Sequence, residues 1–408
     1  MSYPIFIMDI DGVLVDPQGY RRAAQATLDW FTQRMGIGPF ALTEDILDHF
    51  EANNISSEFD IIPLCLAEVF DEVIASYPDI QLTADIYDSC EILRENGLKL
   101  NQVNFKAMAS RVSQIANASD FPSMFALKAN QMGSPHPPFG HLCSHPLIEH
   151  ILSHTRDVNR SPITRVFQQF VLGSHEFEKA YGMKAEIDTH SYLSTYDKPL
   201  LDDQLAELLK KVWVNGDLGL VAYTGRPSLP PDGNHQPILP FSPEANLALD
   251  VVKLSDIPII GLGQIYRLAE ISGGNPDNLG KPSLISSLGV IAAAFLKDEL
   301  GGLLYAERWI YQNDPNYFTH LPALDVHLFE DTPGSIPRLR EAVKMLCDLG
   351  ISTRFQAWGI ARSAAKVSAL QGAGAEIQED INAAIQAALK LIKTPLCTKD
   401  LVFHAKLG

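Results

Sequence analysis

Asp9 and Asp11, two carboxylates one residue apart, close the apolar run Ile5-Phe6-Ile7-Met8, and Gly12 follows at once. A run of this kind reads as a parallel strand buried on both faces. A desolvated carboxylate without a partner is costly, so these acids belong where the strand ends and a cation can be held. In open α/β sheets that place is the carboxyl edge, where ligands bind, and Gly12 lets the backbone turn away from it. A second apolar run, Val326-His327-Leu328-Phe329, ends in Glu330-Asp331 and a small-residue turn, Thr332-Pro333-Gly334-Ser335. A third, Leu218 to Tyr223, ends in Thr224-Gly225-Arg226. Read singly, each ending also fits an ordinary helix cap. Lys281 precedes a helix expected to begin at Pro282, where the positive end of the helix dipole opposes a lysine unless an anion lies between them.

In this order the four stretches resemble the motifs of the haloacid dehalogenase superfamily, most of whose members are magnesium-dependent phosphatases and phosphotransferases. Asp9-Ile10-Asp11-Gly12-Val13-Leu14 is similar to the first motif, Thr224-Gly225-Arg226 to the second, Lys281 to the third and Glu330-Asp331 to the metal-binding fourth. The resemblance implies Asp9 as nucleophile and Asp11 as the acid and base that protonates the leaving oxygen and then activates water. It implies that Thr224, Gly225, Arg226 and Lys281 meet the phosphoryl group. It also implies that Mg²⁺ is held by Asp9, the backbone carbonyl of Asp11 and Asp331, with Glu330 a further or alternative ligand. The chemistry is apt, since magnesium takes oxygen ligands and keeps several waters, and a short hydroxyl beside backbone amides suits a phosphoryl oxygen. The sequence departs from the pattern at Ser335, where relatives often have an acid.

Asp11 favours phosphoryl transfer over dehalogenation, because the carbon-halogen hydrolases of the superfamily lack the acid at that position. The expected reaction is hydrolysis of a small phosphorylated metabolite through an aspartyl-phosphate. A phosphomutase or phosphotransferase, or a non-catalytic member that binds a phosphorylated ligand, are the alternatives.

Stepping outward, the elements that must position these residues are helices and strands in alternation from about Leu200 onward, which implies a mostly parallel sheet. From Tyr20 to Phe170 the pattern is helical, with a Gly/Pro/His-rich interval at 133–140. The expected fold is an α/β, Rossmann-like core formed by residues 1–16 and 198–408, with a large, mainly helical cap inserted at 17–197. The proline-rich stretch 228–243 reads as an ordered loop or flap.

His136, His141, Cys143, His145, His150 and His154 crowd one part of the insert, but their spacing matches no compact zinc template, and they read as a polar loop. The formal charge of -17 argues against nucleic acid or an anionic membrane as a partner, since both need a basic face, while leaving room for a local basic pocket. Five scattered cysteines without a Cys-x-x-Cys pair suit a reducing cytoplasm. The apolar stretch from Leu284 to Leu296 is too short to span a bilayer.

Overall fold

A computed structural model describes residues 2–100, 102–115, 121–132, 134, 136–233 and 236–392. Gly133 and Pro135 of the His-rich interval, two positions of the proline-rich stretch (234 and 235) and Cys397 lie outside the described residues. The chain divides into two units, one made of Met1–Pro17, Asp197–Gln236 and Pro240–Gly408, the other of Gln18–Tyr196 and Pro237–Leu239.

The first unit is a doubly wound α/β structure. Its strands are β1 (Tyr3–Met8), β2 (Val15–Asp16), β3 (Lys198–Pro199), β4 (Gly219–Tyr223), β5 (Ile259–Ile260), β6 (Leu324–Glu330), β7 (Thr353–Ile360) and β8 (Glu376–Gln378). Six of them form a parallel sheet in the order β5-β4-β1-β6-β7-β8, while β2 and β3 pair antiparallel as a separate ribbon. Ile5 to Met8 are fully buried. Ile5 and Ile7 enter one core and Phe6 and Met8 the other, as the two-residue period of a strand requires.

Helices cover the two faces in a definite division. Asp203–Val214 and Glu244–Val251, which follow the insertion and β4, pack with Phe6, Met8 and Leu220. Leu262–Ser272, Leu284–Leu296, Glu299–Gln312 and Ile336–Asp348, which flank β6, pack with Ile5, Ile7, Val326 and Leu328 on the opposite face. The helices therefore change sides between β1 and β6, the place where doubly wound sheets bind their ligands.

Several boundaries differ from the sequence reading. The strand expected over Ile257 to Leu262 pairs with β4 at only two residues, because β5 is an edge and Leu262 already opens a helix. The helix expected from Pro282 begins at Leu284 instead: Ser283 is its N-cap, its hydroxyl accepting from the Ser286 N–H at 3.0 Å. What read as one helix to Leu300 is two. They pack so closely that a Cβ on Gly302 would lie 2.6 Å from the Ala293 nitrogen. Thr224 caps no helix among the described residues, since the next α-helix begins at Glu244, and the proline-rich stretch between them is folded back by a Ser228 N–H to Pro240 C=O bond of 3.1 Å.

The second unit carries helices and no named strand among its described residues. At its centre Glu58–Ser76 is buried along most of its length and includes three buried acids, Asp60, Glu68 and Asp71. Among the described residues no helix is long and apolar enough to cross a membrane.

Candidate functional site

Strand register brings the site together. Met8 lies opposite Ala222 on β4 and opposite Phe329 on β6, so the next residue, Asp9, falls between Tyr223 and Glu330. The Asp9 N–H continues the ladder to the Phe329 C=O at 3.0 Å, and its carboxylate accepts from the Ile10 N–H at 2.8 Å. Glu330 is the last residue of β6 and has no exposed side-chain surface. Asp331 steps off the strand. Oxygens of Asp9, Glu330 and Asp331 lie within 4.8 Å of one another, and among the described residues no other group of three ligating side chains does so.

Lys281 reaches this cluster from the segment that leads into the helix Leu284–Leu296. Its ammonium is 3.2 Å from Asp9, 2.6 Å from Glu330 and 3.0 Å from the Tyr223 carbonyl. It also lies 4.9 Å from the centre of the Tyr223 ring, whose hydroxyl is held by Ser286 at 2.7 Å. The anion that the lysine's position demanded is thus a pair of carboxylates. Burial opposes its charge, but Asp9 and Glu330 outweigh that and hold its pKa above the ordinary lysine value.

The carboxylates respond in the opposite direction. Burial raises the Asp9 pKa well above the usual carboxylate range, and the nearby charges of Glu330, Asp11 and Asp331 add to the rise while Lys281 resists it. Asp331 is also raised, by burial first and then by Glu330 and Asp11, against the pull of Lys366 at 2.7 Å. Gly12 makes room here. Its φ is +72°, and a Cβ on it would lie 2.7 Å from Asp331 Oδ2.

Ser335, the departure noted in the sequence, donates its hydroxyl to Glu330, and the Thr332 hydroxyl lies 3.5 Å from the same carboxylate. Glu330 is therefore fixed from two sides, by Lys281 and by its own turn. Thr224 and Gly225 stand at the end of β4. The Thr224 N–H bonds to Ile260 C=O at 3.0 Å, its hydroxyl accepts from the Arg226 N–H at 3.1 Å, and Gly225 is exposed beside it.

Arg226 turns to Asp11. Its buried guanidinium grips Asp11, with Nε 3.1 Å from each carboxylate oxygen and Nη2 2.5 Å from Oδ1, and it also meets Asp197 at 3.1 Å. Asp197 and Lys366 belong to none of the four motif-like stretches. The only trace of Asp197 in the sequence is that periodicity changes just before it, and Lys366 carries no local signal.

Asp9, Asp11, Asp197, Glu330 and Asp331 thus meet Lys281, Arg226 and Lys366. That leaves two more carboxylates than cations. An all-oxygen donor set with this excess fits a divalent, hard cation such as magnesium.

Two histidines of the inserted unit hold its own backbone with their rings, and a third lies at a turn held by Asp71. His145 and His150 accept the Leu147 and Ile86 N–H groups at 3.2 Å each, and Asp71 accepts the His141 and Leu142 N–H groups at 2.8 and 2.7 Å.

The chain is an α/β protein with a parallel, doubly wound core and a helical insertion. No protein-family model matches its sequence, nor does any curated protein. The X-ray structure of Northeast Structural Genomics Consortium target ZR25 is similar over 96% of this chain and 99% of its own, with a TM-score of 0.62 at 14% identity. Phosphatase Tt82 from Thermococcus thioreducens aligns over 95% of this chain and 99% of its own, with a TM-score of 0.44 at 13% identity. The first likeness bears on the fold alone.

Proposed function

We propose that this protein is a magnesium-dependent phosphatase of the haloacid dehalogenase type, acting on a small phosphorylated metabolite. The observation that carries the reading is the convergence of Asp9, Lys281, Glu330 and Asp331, from three distant parts of the chain, at the carboxyl ends of neighbouring parallel strands. Magnesium, held by Asp9, Asp331 and the Asp11 carbonyl, would screen the charge of nucleophile and phosphate and so let two anions approach. Glu330 is better suited to holding Lys281 than to ligation, since Lys281 and Ser335 already occupy it.

Asp9 attacks phosphorus and becomes an aspartyl-phosphate, while the departing oxygen takes a proton from Asp11. Asp11 then takes a proton from water, whose oxygen attacks the same phosphorus; phosphate leaves and Asp9 is restored. Thr224, the Gly225 amide and Lys281 meet the phosphoryl oxygens. A small ester is the substrate class we take, since capped members of the superfamily that this chain resembles act mostly on small phosphorylated metabolites.

The test is phosphate release from an aryl phosphate and from sugar, nucleotide and glycolytic phosphates, with and without magnesium, in wild type and Asp9→Asn. Magnesium-dependent release that Asp9→Asn abolishes is the expected result. A folded protein that binds magnesium yet hydrolyses none of them overturns the reading and favours a mutase or a phospho-ligand-binding protein.

A further inference from the structure

Asp11 follows β1 on a turn and keeps 39% of its side chain exposed, so its own backbone does little to orient it. The grip of Arg226 supplies that orientation. A guanidinium that meets both oxygens of a carboxylate fixes the plane of the group as well as its distance. Arg226 itself is held from behind. Its side chain is 2% exposed and that of Asp197 is 0% exposed, and a third contact runs from Nη1 to the Glu244 carbonyl at 3.5 Å.

We propose that Asp197 and Arg226 are positioning residues for Asp11, so that the residue at which the chain returns from the insertion sets the direction of the proton-transferring carboxyl group. This rests on the phosphatase reading. Asp197 is the first core residue after the insertion and immediately precedes β3, which pairs with β2 only a few residues beyond Asp11. Asp197 touches no substrate on this account. It acts through Arg226, and removing it leaves the nucleophile, Lys281 and the metal ligands in place.

The readout is leaving-group dependence. A dinitrophenyl phosphate releases an oxygen that needs no proton, whereas an alkyl phosphate needs one, and kcat/KM reports the step in which that oxygen departs. Asp197→Asn is expected to lower kcat/KM for the alkyl ester by about tenfold or more and for the dinitrophenyl ester by about twofold at most. Arg226→Lys, which keeps the buried charge but loses the two-toothed grip, is expected to change the ratio in the same direction, and it serves where Asp197→Asn proves unstable in a thermal melt. Equal losses on the two esters, or none on either, overturn the inference while leaving the phosphatase reading intact. Absence of wild-type turnover on both esters overturns that reading, and this inference with it.

Discussion

Both units bury carboxylates, and they do so in opposite ways. On the helix Glu58–Ser76 each of the three buried acids meets its own donor from within its unit. Asp60 is held by Arg156 at 2.6 Å and by the Ser123 hydroxyl at 2.6 Å, Glu68 by both of its oxygens on Arg111 at 2.6 and 2.8 Å, and Asp71 by two backbone N–H groups. At the edge of the sheet Asp9, Glu330 and Asp331 crowd one another. Burial first, and then the charges of Asp71 and Glu72, push the Glu68 pKa up to about 7 against the two-oxygen grip of Arg111, while Asp9 and Asp331 are raised by burial and by the carboxylates crowded around them. A buried acid with a private partner holds a fold together; buried acids sharing too few partners are poised to take a ligand.

The largest contrast should come from Asp9→Asn. Turnover is expected to fall by about a thousandfold or more, with a melting temperature unchanged or raised because the substitution relieves crowding. A stability loss to match the activity loss would break the comparison. Gly12→Ala should come next, lowering kcat by about tenfold to a hundredfold, because its Cβ displaces Asp331. Steady-state kinetics alongside circular dichroism would check this, and unchanged kcat in a folded variant would argue against Asp331 as a ligand.

In the inserted unit the pattern should reverse. Arg111→Met leaves Glu68 buried without its cation and is expected to cost about 2 kcal/mol in denaturant unfolding, while kcat of the folded protein stays the same. The smallest effect concerns pH. Asp9 and Asp331 have folded pKa values raised above their unfolded ones, so the stability linked to them is full below the ordinary carboxylate range and is lost as pH rises through the raised values. As pH rises from the ordinary carboxylate range towards neutrality, the wild-type melting temperature should fall relative to that of Asp9→Asn. Added magnesium should recover the difference at neutral pH and not at acid pH.

The sheet was legible where strands are central. β1, β4 and β6 are apolar runs ended by polar residues, because each is buried on both faces and stops at the carboxyl edge of the sheet, where the site lies. Legibility failed at β5, where an edge strand needs only two paired residues, and at Glu299–Gln312, which followed another apolar helix with no strong break. Asp9, Glu330 and Asp331 could be picked out because each ends or follows an apolar run, and Lys281 because it stands just before a helix. The roles of Arg226 and Asp197 could not, since their contact with Asp11 depends on tertiary packing that no local spacing encodes. Ser335 illustrates the same limit. As a letter it is a missing acid, and in the fold it is the hydroxyl that steadies Glu330.

The ribbon of β2 and β3 has a consequence for ancestry and folding. Val15 faces Pro199 and Asp16 faces Lys198, so the chain leaves the core and comes back to it one strand spacing away, roughly 5 Å. Closing a long excursion costs little more entropy than closing a short one, because the penalty grows only with the logarithm of length. The junction therefore behaves as a graft point: a hairpin turn or a whole helical domain can be spliced there without refitting the sheet, and a lineage can exchange what it carries at that point while inheriting the strand ends unchanged.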